Sequence, residues 1–358
     1  MKNKVLKTTL SILAAVVLGV AILLALVKIG ERLVFAPYYF NSTTEFKVPG
    51  LAHGFVQQGF DYYEGDASTD EDDRFLVSGY MKDTTLASRI YVLNAKGKIV
   101  SITQLRNADY KEYTGHCGGI AHDGEYLYVS NDDNSNMSLD VFSLKDVLEG
   151  KEKTAIKGSV FVYQKPAFCY IADGKLYTGN FHREETRGSD KEYLSPDKVV
   201  ALGDEKATAL MTVFELDHNK YADNFGVASE PMEAYAIPSQ VQGMTMTKNG
   251  NVVFSTSWGV SASHLYIYDM KGVRDNTKTT TDIFKDAELF GDKALNKDVT
   301  LYTMGEEHLY KDVKAPPMAE ELVYLDGKVL VMNESASKKY MFGRLLSGTY
   351  VNAYKTEY

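Results

Sequence analysis

Five times in this chain a small or polar doublet leads into an apolar strand, a turn, and a second apolar strand ending in Ser, Asn or Gly. The copies are VQQGFDYY with RFLVSGY from Val56, GHCGGIAHDGEYLYVSND from Gly115, PAFCYIADGKLYTGNF from Pro166, VQGMTMTKNGNVVFSTSWG from Val241 and AEELVYLDGKVLVMNES from Ala319. Four of them turn at Asp123-Gly124, Asp173-Gly174, Asn249-Gly250 or Asp326-Gly327, pairs that tight hairpins select because their central residues take positive φ. A third strand is expected in each copy, opened by Ser88, Ser138, Ser263 or Ser337, and by Thr208 where the serine is missing. Fourth strands are read at 97–105, 159–164, 231–238 and 298–304. A unit of this size cannot bury its apolar face alone, so neighbouring copies must stack into one continuous core.

Aligned starts fall at Gln58, His116, Phe168, Gln242 and Glu320, at intervals of 58, 52, 74 and 78 residues. A propeller blade needs only ~40–50 residues. Insertions are therefore expected at 181–207, inside the third copy, and at 270–297, between strands three and four of the fourth. The fold class that follows is all-β, a five-bladed β-propeller, with TEFKV (44–48) pairing into the last blade to close the ring and remove an exposed sheet edge. A short helix is expected over SLKDVLEG (143–150). The abundance of Tyr (25) and Phe (16) against eight prolines suits many short strands better than a helical bundle.

Ahead of the repeats, Lys2, Lys4 and Lys7 precede an apolar run from Leu10 to Val27 broken only by Ser11 and Gly19. At about 1.5 Å per residue such a run crosses a bilayer's hydrocarbon core. A cleaved signal peptide is the rival, but its apolar stretch is usually shorter and ends in a small-x-small site, whereas Ala25-Leu26-Val27-Lys28 follows here. The expectation is an uncleaved single-pass anchor: 1–9 cytoplasmic, 10–27 spanning, 28–50 a juxtamembrane link with the closing strand, and 51–358 the propeller outside the cytoplasm, as the positive-inside rule directs. Residues 31–358 carry a formal charge of −13. Nucleic acid is not expected as a partner, because phosphate contacts need a basic surface.

In a propeller, loops entering the innermost strands and loops joining strands two and three open on one face. That face is expected to gather Gln58, His116, Gln242, Glu320 and Glu321 from the strand starts, and His182, Trp258 and Glu334 from the second-strand ends. It is the default ligand site, for a small molecule, peptide or surface partner. The polar slot residues could equally hydrogen-bond the next blade's backbone, and Trp258 could either stack on a ligand ring or cap the blade. No cofactor or metal is predicted, although Glu320, Glu321 and Glu334 have the oxygen chemistry that Ca²⁺ takes in a central channel. Cys117 and Cys169 sit one place after their slots in neighbouring blades and are candidates for a disulfide.

The segment VQGMTMTKNGNVVFSTSWGVSASHLYIYD resembles the blade motif of bacterial and plant-type glutaminyl cyclotransferases in Gln242, Gly243, Ser255, Thr256, Gly259, Ser261 and, one place late, Leu265. AEELVYLDGKVLVMNES is similar to the acidic blade start of those enzymes, with Glu321 where a glycine would follow Glu320. Together they cover roughly two blades of five. The resemblance implies an extracytoplasmic bacterial propeller, and leaves two functions open. One is a non-enzymatic recognition or scaffold module. The other is a cyclotransferase-like enzyme in which Glu320 or Glu321 shuttles protons while Gln242, His116 and Trp258 orient the substrate.

Overall fold

The computed structural model describes residues 2–65, 72–131, 137–182, 207–346 and 348–356. An apolar helix, α1 (Lys2–Val34), leads into the short α2 (Ala36–Phe40) and then β1 (Ser42–Lys47). Blade one is β2 (Phe55–Tyr63), β3 (Arg74–Met81), β4 (Arg89–Asn94) and β5 (Ile99–Arg106). Blade two is β6 (Ile120–His122), β7 (Tyr126–Val129) and β8 (Ser138–Ser143), then helix α3 (Leu144–Leu148), a strand β9 (Lys153–Ala155) that runs parallel to β5 on blade one's edge, and β10 (Gly158–Phe161) beside β8. Blade three holds β11 (Phe168–Ala172), β12 (Lys175–Gly179), β13 (Ala209–Glu215) and β14 (Glu233–Ile237).

Blade four begins with β15 (Val241–Met246), β16 (Val252–Thr256) and β17 (Ser263–Tyr268). The chain then passes through α4 (Met270–Asn276), β18 (Thr279–Thr281), α5 (Ala287–Phe290) and β19 (Val299–Thr303) before β20 (Leu309–Ala315) completes the blade. Blade five is β21 (Ala319–Leu325), β22 (Lys328–Asn333), β23 (Tyr350–Lys355) and the N-terminal β1, which pairs antiparallel with β23. The molecule is thus a five-bladed propeller preceded by one long apolar helix, and its ring closes through the expected N-terminal strand.

The core lies in five packets, one at each junction between blades. Strand alternation feeds them. On β16, Val252 and Phe254 face blade three while Val253 faces blade five; on β3, Phe75 and Val77 face blade five while Leu76 faces blade two. Serines noted in the repeat tie the same junctions. Ser78, Ser130 and Ser255 donate to the carbonyls of Cys117, Ala167 and Glu320 on the next blade, at 3.0, 2.9 and 2.6 Å. Ser88 donates to Gly115 at 2.6 Å, and Ser263 accepts from the Ala319 N–H at 3.0 Å. Each such bond contributes about 1 kcal/mol net, and more would be lost if one partner were left buried alone.

Several expectations need correcting. Residues 298–304 do not finish blade four: β19 lies parallel to β14 as an added strand of blade three, where Val299 and Leu301 cover that blade's apolar edge. The true partner, LYKDVKA, shows little hydrophobic alternation because only Val313 and Ala315 of it are buried. Ser337-Lys338-Lys339-Tyr340-Met341 forms turns rather than a strand, and blade five's third strand is β23, whose Val351, Ala353 and Tyr354 supply the buried side chains. Of the four expected hairpin turns, two have both central residues at positive φ, Asp173-Gly174 (50° and 66°) and Asp326-Gly327 (51° and 76°); at 123–124 and 249–250 the glycine alone does. The insertion expected at 181–207 falls, from 183 to 206, outside the described residues.

The stretch after the apolar run is built into the propeller. Phe35 and Tyr38 are buried with Val253, Val313, Val331 and Tyr354, and the Tyr38 and Tyr354 rings stack at 5.9 Å. Tyr39 Oη donates back to Glu31 on α1 at 3.0 Å. Replacing Tyr38 by Ala is therefore expected to cost about 3–5 kcal/mol, the usual penalty for emptying a buried aromatic site. Phe40→Ala, at a side chain that is 86% exposed, should leave stability nearly unchanged, and denaturant titration of the two variants side by side checks the difference.

Candidate functional site

Around the axis the five innermost strands lie edge to edge. Their equivalent residues are Gly59, Gly119, Cys169, Gly243 and Glu321, as the pairings of β3, β7, β12, β16 and β22 with them fix. A Cβ at Gly119 would stand 2.7 Å from Phe168 Cα, and one at Gly243 would overlap Glu321 Cα. The glycines are there because backbone passes too close for a side chain. Glu321 takes the space they leave: its Oε2 accepts from the Phe60 N–H of blade one at 3.1 Å and the Ile120 N–H of blade two at 2.6 Å. The side chain is 1% exposed. Burial drives its carboxyl well above the ordinary 4.5, against the backbone N–H groups that favour the charge.

This alignment shifts one expected slot. The residue equivalent to Gln58, Phe168, Gln242 and Glu320 is Gly118, so His116 lies two places earlier. Cys117 consequently has no equivalence with Cys169. Cys117 packs in the junction of blades one and two and Cys169 in that of blades two and three, so the candidate disulfide between them does not form. Burial, with Glu321 nearby, pushes the Cys169 thiol well up, which makes it inert.

Four of the expected site residues do meet, at one mouth of the axis. Gln58 Nε2 donates to Glu334 Oε2 at 2.7 Å, linking blades one and five. The His116 ring lies 4.8 Å from that of Tyr80. Lys339 Nζ donates to Tyr80 Oη and sits 4.9 and 5.0 Å from the Tyr80 and Tyr340 ring centres. Glu320, 2% exposed, adds to the charge facing Tyr80. Burial raises the Glu334 carboxyl, while His116 and Lys339 and hydrogen bonds from Gln58 and Tyr340 pull it back. Burial and Glu334 together push the Tyr80 hydroxyl far up and that of Tyr340 up. The result is a buried carboxyl within a shell of donors, able to hold a proton or to accept from a ligand.

Tyr80, Lys339 and Tyr340 were missed in the sequence, the last two because they were assigned to a strand. Gln242 opens the inner strand of blade four, half-buried, and His182 is buried with its carbonyl taking the Gln240 N–H at 3.1 Å. Trp258 is set apart: it lines a cleft of about 820 Å³ that includes none of Gln58, His116, Glu320 or Glu334. On the opposite face the axis holds a cavity of about 190 Å³ floored by Glu321, with His122 Nδ1 2.6 Å from Asp61 Oδ2 on its wall. Burial alone would lower His122, but the Asp61 charge and hydrogen bond hold it above its ordinary value. Nothing in the sequence joins these two, which lie 61 residues apart. Among the described residues no three His, Cys, Asp or Glu side chains converge to hold a metal ion.

No family model matches the chain, and no curated protein matches it. Among solved structures it is similar to the glutaminyl cyclase of Myxococcus xanthus, at 12% identity over 81% of this chain and 90% of that one, with a TM-score of 0.40. It is also similar to the PQQ-bound aldose sugar dehydrogenase of Streptomyces coelicolor (14% identity, 82% and 78% covered, TM-score 0.40). A Thermus thermophilus oxidoreductase described as a glucose dehydrogenase gives 11%, 87% and 98%, and 0.41. Likeness this distant carries no conclusion about activity, and the five-bladed ring stands on the strand pairing of the chain itself.

Because its folded value is raised, Glu321 holds a proton at pH values where the unfolded chain has released it. Its contribution is fully present below the ordinary 4.5 and is lost as pH rises above it. Glu321→Gln keeps an acceptor for the two backbone N–H groups and carries no charge, so the variant should show a shallower fall of melting temperature from about pH 5 to pH 8. Parallel melts with the same slope in both proteins would rule out this assignment.

Proposed function

We propose that the chain is a membrane-tethered recognition module whose propeller stands outside the cytoplasm and binds its ligand at the axial mouth around Glu334. The tether is supported by the apolar helical stretch Leu6–Val34, long enough to cross a bilayer and unburied along its most apolar part. Lys2 and Lys4 before it and Lys7 at its start favour a cytoplasmic N-terminus. A helix of this kind is compatible with an anchor or with a signal sequence, and the packing of Phe35 and Tyr38 into the propeller favours the anchor.

The observation that carries the recognition site is the Gln58–Glu334 bond at 2.7 Å, with Tyr80, His116, Lys339 and Tyr340 around it. Side chains from three blades converge there on one buried carboxyl, at a mouth held by rigid strands. Glu334 and Glu320 suit a ligand group that donates hydrogen bonds, such as an amine or amide of a small molecule or peptide. A second reading rests on the raised Glu334 carboxyl beside His116, which could shuttle a proton in a cyclotransferase-like reaction. Glu321 is less suited to that role, since its Oε2 is already bound to backbone.

Native mass spectrometry of the full chain in detergent, against amines, amino acids and short peptides, tests the proposal. At least one should be retained and should bind about tenfold or more weakly to Glu334→Gln, the loss of one charged hydrogen bond. An N-terminal glutaminyl peptide should release no ammonia. Ammonia release that disappears with Glu320→Gln or Glu334→Gln would replace recognition by catalysis.

A further inference from the structure

The cleft that holds Trp258 lies between blades three and four, away from the axis, and its volume of about 820 Å³ falls within the range of small-molecule sites. Alternation along β17 places His264, Tyr266 and Tyr268 on one strand face that lines it, with the His264 and Tyr266 rings 5.5 Å apart. Trp258 joins this aromatic wall. Its indole leans on Phe181, ring centres 5.8 Å apart, and stays 48% exposed. A capping role would bury the indole; instead, nearly half of the largest side chain in the protein faces solvent in a concave site.

The polar lining narrows what can occupy the cleft. Gln240, Ser257 and Ser261 both donate and accept, whereas Glu306 and Asp312 only accept. None of the lining residues is Lys or Arg, so an anionic ligand would find no countercharge. Asp312 Oδ1 already has His264 Nδ1 at 2.7 Å. A bare cation would use the carboxylates and leave the amide and hydroxyl donors unsatisfied. A pyranose ring fits both sets: each hydroxyl donates and accepts, and its C–H face is the positive surface that an electron-rich aromatic face attracts.

We propose that this cleft is a second binding site, for a neutral saccharide, with a pyranose ring stacked on Trp258 and Tyr266 and its hydroxyls held by Gln240, Glu306 and Asp312. It shares no residue with the axial mouth, so either site can fail without the other.

Trp258 is the only tryptophan in the chain, which makes its fluorescence a reporter of this cleft alone. The full-length protein in detergent is titrated with glucose, galactose, N-acetylglucosamine, cellobiose and maltose, and with choline and lysine as cationic controls, following emission and quenching by acrylamide. At least one sugar should give a saturable emission shift and shield the indole. Asp312→Ala and Gln240→Ala leave the reporter in place and should each weaken that sugar about tenfold. Tyr266→Ala should do the same through lost stacking, with circular dichroism confirming that each variant is folded. No saturable response to any sugar overturns the proposal, as does a response to choline or lysine alone, or one that Asp312→Ala and Gln240→Ala both leave unchanged.

Discussion

The structure depends on how closely five strands can be brought around a common axis. At the tightest level three of the five equivalent positions are glycine, and only Cys169 and Glu321 carry side chains. Glycine at residues 59, 119 and 243 supplies the clearance, and Glu321 spends it by reaching from blade five to backbone N–H groups of blades one and two. A carboxyl is costly to bury, and its charged form more so. Here the cost is offset by the two backbone N–H groups it accepts from and by the proton that burial makes it keep, and the two bonds join parts of the chain 261 and 201 residues apart. On one side of it lies the side-chain cluster around Glu334, and on the other the cavity walled by Asp61 and His122.

That arrangement explains which parts of the fold could be read from the residues. Hairpins, blade number and ring closure follow from local rules, since turn chemistry and strand alternation act over a few residues and the closing strand follows from the need to remove an edge. The recurring serines could be seen but not interpreted. They proved to be ties between neighbouring blades, which is why they recur at all. Assignments failed where a strand sits at a blade's outer edge. β20 shows little apolar alternation because most of its side chains meet water, and β19 is apolar because it covers the outer strand of the preceding blade.

The site was legible to the extent that it belongs to the repeat. Gln58 and Glu320 occupy equivalent inner-strand positions, and Glu334 follows the end of a second strand, so their convergence could be anticipated. Lys339 and Tyr340 come from a turn that resembled a strand, and no periodic signal marks them. The register error at His116 arose from reading its His-Cys as the equivalent of Gln-Gly. The counterpart is Gly118-Gly119, two residues further on, and with that shift goes the equivalence that made Cys117 and Cys169 candidates for a disulfide. Residues that carry the cyclotransferase resemblance have architectural work within this chain. Gly243 makes room for Glu321, and Ser255 ties blade four to blade five. Shared motif residues of that kind report a way of packing blades, not a reaction.

The N-terminal helix adds a constraint that composition alone does not reveal. Between the end of α1 at Val34 and the start of the closing strand at Ser42 there is only α2 with its flanking residues, and Tyr38 within it is fully buried. A tether of this length has no slack. If α1 crosses a bilayer, the flank formed by blades four and five must lie close to the membrane surface, because Phe35 and Tyr38 pack against Val313 and Tyr354 there. Lys311 and Lys314 stand on the same flank, over the rings of Tyr354 and Phe35. An anchored propeller of this design would be held edge-on rather than swinging on a leash, so the direction in which its axis points is decided by the same few residues that close its ring.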